Sequence, residues 1–267
     1  MVEKSGKQRG GLEPGCFYHG NNPPASGGTH FFIYSSICIS LKSKGSRKRV
    51  RCDKMELIFG TGNHGKFMMM KDFLEELNVD LIGLDDLPGV EESPEESGST
   101  PLENARMKAE YYYRIFQKPV FSCDSGFYIH GLPEEEQPGV HVRNVGGRRL
   151  SDEEMTAYYS GIAHRLGGKC LAEYRNAICL IMNSRERYEY EGADIGGGSF
   201  YLVDRAKEQK EEGFPLDCIS VDIITGNYFV EGGQLQCFDS QKEGLLRFFR
   251  EAMQKTEESL QNGRPEK

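Results

Sequence analysis

The stretch Met55 to Lys66, MELIFGTGNHGK, joins a short apolar run to a glycine-rich turn carrying an asparagine and a lysine, and a helix-like pattern follows. A strand, turn and helix start of this kind offer backbone N–H groups, the positive end of a helix dipole and one ammonium to an anion. The expected ligand is a nucleotide or a similar phosphorylated molecule. Gly60, Thr61, Gly62, Asn63, His64, Gly65 and Lys66 satisfy the first seven positions of the phosphate-loop pattern G-x-x-x-x-G-K-[ST], but Phe67 occupies the eighth. A hydroxyl is needed there to hold magnesium. A turn in which Thr61, Asn63 and Lys66 grip a triphosphate therefore competes with a true phosphate loop. Taken alone, the segment also fits an ordinary strand-to-helix turn that uses glycine for positive φ.

Two acidic features accompany the loop. Asp124 closes the apolar run Pro119 to Asp124 and is followed by Ser125-Gly126. That is the carboxyl edge of a strand, where open α/β sheets place their ligand crevice. Glu95-Glu96 stands in the loop before Thr100. Hard carboxylate oxygens in such places suit magnesium, which takes one or two protein carboxylates plus substrate phosphates. Asn104 and Lys108 share a helix face at i, i+4 and are placed to reach the same crevice. The plainer readings are a solvated acidic loop, with five glutamates between Glu91 and Glu103, and a simple turn at Asp124-Ser125-Gly126.

The elements that must position these groups are legible. Phe67, Met70, Leu74 and Leu77 fall on one helix face, and Met68 to Met70 read as core and linker packing. Val79 to Leu84 reads as a second strand. Thr100, Pro101 and Glu103 form a capping box that starts a helix at Pro101, with Leu102, Ala105, Ala109, Tyr112 and Phe116 as its apolar face. Ser151 to Glu154 is a second capping box, opening a helix to about Leu166. Strand-like segments follow at Ala172 to Met182, Arg187 to Ala193, Ser199 to Val203 and Cys218 to Ile224, with Thr225-Gly226-Asn227 as a hairpin turn into Tyr228 to Val230. Leu245, Leu246, Phe249, Ala252 and Met253 mark a last amphipathic helix. The order implies an α/β fold with a mixed sheet.

At 267 residues the chain has room for one sizeable α/β domain and an appendage. Residues 1–54 hold 10 lysines and arginines against 3 acidic residues, a local charge of +7. The remaining residues hold 23 against 38, or −15. An acidic body argues against general nucleic-acid binding, whose affinity comes largely from neutralised phosphates. Residues 1–54, rich in Pro, Gly, Ser and Asn and closed by the basic cluster Lys42 to Lys54, are expected to be disordered. They read either as a nucleic-acid or targeting arm or, as favoured here, as an extension upstream of a natural start at Met55. Eight cysteines form no C-x-x-C pair, which argues against zinc and for buried, reduced thiols in a cytoplasmic protein. The longest apolar run, Phe31 to Leu41, is well short of the ~20 residues of a membrane-spanning helix.

The motifs taken together resemble one family. Thr61 to Lys66, Glu95 to Thr100 with Glu103-Asn104-Ala105, Asp124-Ser125-Gly126 and Pro138-Gly139-Val140 follow, in order and spacing, the inosine/xanthosine triphosphate pyrophosphatases. Gly213 to Asp217 and Ser240-Gln241-Lys242 continue the likeness more thinly. The resemblance implies a two-lobed α/β fold around an elongated mixed β-sheet, with flanking helices, a central substrate cleft and a homodimeric state. It implies magnesium-dependent hydrolysis of aberrant purine triphosphates (ITP, dITP, XTP) to the monophosphate and pyrophosphate, with residues 55–257 as the catalytic domain and 258–267 as a polar tail. On that basis Thr61, Gly62, Asn63, His64, Gly65 and Lys66 bind the phosphates. Glu95 and Asp124 hold Mg2+, and Asp124 also orients or deprotonates the attacking water. Ser125 contacts substrate, and Phe214, Pro215, Leu216, Asp217, Gln241 and Lys242 line the purine pocket. There are three departures from the family: Cys123 replaces an acidic residue, Gln236 a lysine, and Gln241-Lys242 a histidine–arginine pair. Alternatives are a phosphate-loop NTPase or kinase acting on the γ-phosphate and a non-catalytic nucleotide-binding protein.

Overall fold

A computed structural model describes residues 54–90, 93–233 and 235–262. The expectations for residues 1–53 and the side chain of Gln236 lie outside the described residues. Three strands open the fold: β1 (Met55–Phe59), β2 (Val79–Ile82) and β3 (Val120–Ile129). A small ribbon, β4 (Asn144–Val145) with β5 (Arg148–Arg149), precedes β6 (Lys169–Asn183), β7 (Glu186–Glu191), β8 (Ser199–Val203) and β9 (Ser220–Val221). The helices are α1 (His64–Phe73), α2 (Pro101–Phe116), α3 (Asp152–Arg165) and α4 (Leu235–Asn262).

Among the described residues the main sheet runs β2-β1-β3-β6-β8-β9, with β7 also paired to β6. β1 is parallel to both β2 and β3, and the other pairings are antiparallel, so the sheet is mixed as expected. One edge of the long β6 follows β3 throughout. The other edge is divided, pairing with β8 over Lys169 to Glu173 and with β7 from Ala177 to Asn183. The division separates two hydrophobic regions. One end packs Phe127, Ile129, Tyr159, Ala172 and Phe200 beneath α3. The other packs Leu57, Phe59, Phe121 and Leu180 against α1 and α4 on one face, and Ile58, Val120 and Cys179 against α2 on the opposite face.

Local chemistry explains the boundaries. Both capping boxes form: Glu103 N–H donates to Thr100 Oγ1 and Glu154 N–H to Ser151 Oγ, each glutamate reaching back to the cap. On α4 the residues Leu245, Leu246, Phe249 and Ala252 are buried, as the periodicity predicts. The helix begins earlier, at Leu235, and continues through residues 258–262. Elsewhere the structure corrects the pattern. Leu77 lies beyond α1, whose last turn tightens into a 3-10 turn, Leu74–Glu76. Met70 is buried but Met68 is 49% exposed. The strand expected from Cys218 to Ile224 shrinks to β9, because the Asp222 carboxylate accepts bonds from Ile224 N–H, Thr225 N–H and Thr225 Oγ1 and closes a tight turn at once. Tyr228 then makes only one bridge, to Val221, before a 3-10 turn over Phe229–Glu231.

Candidate active site

The loop after β1 is held from several sides. Gly60 N–H donates to Phe121 O and Ser122 Oγ donates to Gly60 O. A Cβ at Gly60 would stand 2.4 Å from both Ser122 Oγ and the Tyr112 ring, so close backbone approach excludes any other residue. Asn63 caps α1: its Oδ1 accepts Lys66 N–H at 3.0 Å, while its Nδ2 donates to Gly213 O at 3.1 Å. Thr61 Oγ1 accepts Asn63 N–H. The Thr61 and Asn63 side chains thus shape the turn that leads into the N-terminus of α1. His64, the first residue of α1, and Gly62 are exposed, and Gly65 packs so tightly on residues 212–214 that an added Cβ would meet Glu212 O at 2.6 Å.

Asp124 lies within β3 rather than at its end, a correction with a simple cause. β1 stops at Phe59, opposite Phe121, while β3 runs on to Ile129. The crevice is therefore made by the end of β1, and β3 crosses it. Alternation along the strand sends Asp124 to the α2 side and Cys123 and Ser125 to the α1 and α4 side. On the α2 side Asn104 Nδ2 donates to Asp124 Oδ2 at 3.2 Å and Lys108 Nζ to Asp124 Oδ1 at 2.7 Å. Lys108 also holds Glu96 Oε1 at 3.1 Å. Asn104 Oδ1 in turn accepts Gly98 N–H, tying the acidic loop to the helix. The structure thus brings Glu96 to Asp124 through Lys108, whereas Glu95 is exposed and makes no described contact with them.

On the other side Lys66 Nζ donates to Ser125 Oγ at 3.3 Å. Burial, then repulsion from Lys108, lowers the Lys66 pKa, although Asp124, Cys123 and Glu96 act the other way. Burial also works to lower Lys108, but Asp124 and Glu96 outweigh it and hold that ammonium above the usual lysine range. The Cys123 thiol is pushed up to about 12, chiefly by burial, so it stays neutral. Lys66, Cys123 and Ser125 border a cavity of about 40 Å3 that also touches Met70, Asn176, Ile195 and Gln241.

The remaining expected residues divide. Gln241 reaches the cavity and donates from Nε2 to Ile195 O at 3.2 Å. Lys242 is engaged elsewhere, by Glu76 at 3.2 Å. Phe214 packs beside Gly65, and Pro215 O accepts the Thr156 hydroxyl. Leu216 is 2% exposed and packs in the α3-side core. Asp217 is buried, which pushes its carboxyl up to about 7, with Glu211 adding to the effect. Asn176 and Ile195 were absent from the sequence-based site. The one available signal was a polar Asn176 opening the apolar run Ala177 to Met182.

The protein is thus a mixed α/β sheet that carries a glycine-rich strand–turn–helix beside a carboxylate–lysine cluster. The model of the Ham1 family matches residues 57–219, and the chain belongs to that family. It is similar to the dITP/XTP pyrophosphatase of Thermus thermophilus, with 30% identity over 179 residues, 67% of this chain and 82% of the relative. The dITP/XTP pyrophosphatase of Leptospira interrogans is 37% identical over 141 residues, 52% of this chain and 68% of that protein. The fold is also that of the Staphylococcus aureus Ham1 protein, at TM-score 0.56 and 23% identity, covering 74% of this chain and 99% of that one.

Proposed function

We propose that this protein hydrolyses aberrant purine nucleoside triphosphates of the dITP, ITP and XTP type to the monophosphate and pyrophosphate. The observation that carries the reading is the convergence of the capped α1 N-terminus and Lys66 with Asp124 and Lys108 across one strand. The dITP/XTP pyrophosphatase activity for which the relatives are named supports it. Phosphate oxygens are received by the α1 N-terminus, Lys66 and Lys108, with Thr61 and Asn63 holding the loop in shape. Water attacks the α-phosphorus, the α–β anhydride bond breaks and pyrophosphate leaves; Asp124 orients the water and takes its proton. The Asp124 and Glu96 carboxylates already share one cation, the Lys108 ammonium, so their hard oxygens fit magnesium, with Glu95 the neighbouring alternative. Bound magnesium would neutralise charge developing on the transferred phosphoryl group.

Phe214, Pro215, Asp217 and Gln241 are assigned to the base side of the site. Residues 55–257 form the catalytic domain in this reading, and the protein works in the cytoplasm as a homodimer. Among the described residues no helix is long and apolar enough to cross a membrane. The decisive assay incubates the full chain with magnesium and ITP, dITP, XTP, GTP or ATP and measures pyrophosphate and orthophosphate separately. Pyrophosphate with ITP, dITP and XTP well ahead of ATP and GTP is the expected result. Orthophosphate alone would return the loop to γ-phosphate chemistry.

A further inference from the structure

Asn176 occupies a singular place in the sheet. It lies on β6 between the stretch paired with β8, which ends at Glu173, and the stretch paired with β7, which begins at Ala177. The connection between β7 and β8 fills that gap and presents Ile195 O to two carboxamides. Asn176 Nδ2 donates to it at 2.7 Å and Gln241 Nε2 at 3.2 Å. A carbonyl accepts and does not donate, so it fixes the Asn176 amide orientation and leaves Oδ1 as the other end. That oxygen is buried and has no hydrogen-bond partner, the one such side-chain atom among the described residues. Asn176 borders the same cavity of about 40 Å3 as Lys66, Ser125 and Gln241.

An orphaned buried acceptor calls for a donor. Phosphate oxygens on the Lys66 side bring none, and a second cation would be repelled by the Lys66 ammonium. The cavity, about 40 Å3, has room for a hydroxyl group. In a nucleoside triphosphate the sugar lies between phosphates and base. The cavity wall joins phosphate-side Lys66 and Ser125 to base-side Gln241. We propose, on the footing of the nucleotide reading above, that Asn176 reads the sugar: its Oδ1 accepts a hydrogen bond from a ribose hydroxyl, making it a specificity-determining residue of this site.

The test compares ITP with its 2′-deoxy and 3′-deoxy analogues, and with ATP, on the full chain, as kcat/KM for pyrophosphate release. Wild-type protein should prefer ITP over one of the deoxy analogues by roughly tenfold, the effect of leaving one buried acceptor unpaired. The analogue that suffers identifies the hydroxyl. In Asn176→Ala the ratio should collapse to about one, while Asn176→Asp, which keeps an acceptor oxygen, should retain part of it. Each ratio is taken within one preparation, so partial loss of folded protein cancels. Equal rates for all three inosine nucleotides in wild type, or a preference that survives Asn176→Ala, would overturn the proposal. Loss in Asn176→Asp as fully as in Asn176→Ala would assign Asn176 to its tie with Ile195 alone and also overturn it. A changed ITP-to-ATP ratio with unchanged sugar ratios would move Asn176 to the base. Absence of pyrophosphate from every nucleotide would defeat the pyrophosphatase reading only, because calorimetric binding of the same inosine nucleotides reads the sugar preference without turnover.

Discussion

At residues 123–125 the two faces of β3 carry opposite kinds of chemistry. Toward α2, both Asp124 oxygens are taken, one by Asn104 and one by Lys108, and Lys108 is shared with Glu96. Toward α1 and α4, the Lys66 ammonium donates to the Ser125 hydroxyl, beside a neutral thiol and an amide oxygen unpartnered among the described residues. The first face is satisfied before any ligand arrives, so its groups are pre-positioned. The second is left with unmet hydrogen-bonding capacity, which in the proposed reading a polyanionic ligand with sugar hydroxyls supplies. Pre-organised charge serves the chemical step. Unmet polarity serves binding and selection.

Breaking the first face should have the largest effect. Asp124→Asn preserves shape but removes the charge and the proton acceptor, so turnover should fall on the order of a thousandfold. Near-normal pyrophosphate release by this variant, with its melting temperature retained, would reject Asp124 as the water-orienting group. Breaking the second face should act on binding. Lys66→Ala should raise KM by roughly ten- to a hundredfold with a smaller change in kcat, the size of a lost charge-assisted hydrogen bond. A fall in kcat at constant KM would mean that Lys66 belongs to the chemical step as well.

The same face predicts a pH dependence. Because the Lys66 pKa is lowered by burial, its ammonium is lost at lower pH than that of an ordinary lysine. Phosphate binding should therefore weaken, and KM rise, as pH climbs through that lowered value. Cys123→Asp would set a carboxylate beside Lys66 and move this limb up by roughly one pH unit or more. An unmoved limb would show that Lys66 is not the titrating group.

A smaller effect concerns Asp217, whose carboxyl is raised by burial and by Glu211. Its carboxyl is held near pH 7 in the folded protein against 3.8 as the reference value. The folded state thus binds the proton more tightly, and the stability this contributes is complete below 3.8 and lost as pH rises through about 7. Asp217→Asn should raise the melting temperature at pH 8 and change it little at pH 4. A gain of equal size at both pH values would locate the effect in packing instead.

Local signals were read well. The strand–turn–helix at Met55 to Lys66, the capping boxes at Thr100 and Ser151 and the buried face of α4 all depend on neighbours within one or two turns of chain. The likeness to the Ham1 relatives was visible for the same reason, since its motifs are short and contiguous. The strand at Cys218 was overread because apolar β-branched residues look alike in a strand and in the turn that Asp222 closes. The burial of Leu216 was not legible, because a motif identifies its place in the chain but not which way each side chain points.

By itself the amino-acid sequence determined the fold class and the glycine-rich strand–turn–helix, and it singled out Lys66, Lys108 and Asp124 as candidates. These follow from periodicity, capping and residue chemistry, which act over a few residues. Only the tertiary structure decided that β3 would run past the end of β1, and so put Asp124 and Lys66 on opposite faces of one strand. It alone divided the far edge of β6 between β7 and β8 and turned the Asn176 oxygen into a buried, unpartnered acceptor. Strand register and the path of a connection depend on packing between residues far apart in the chain, where spacing along the sequence carries no information.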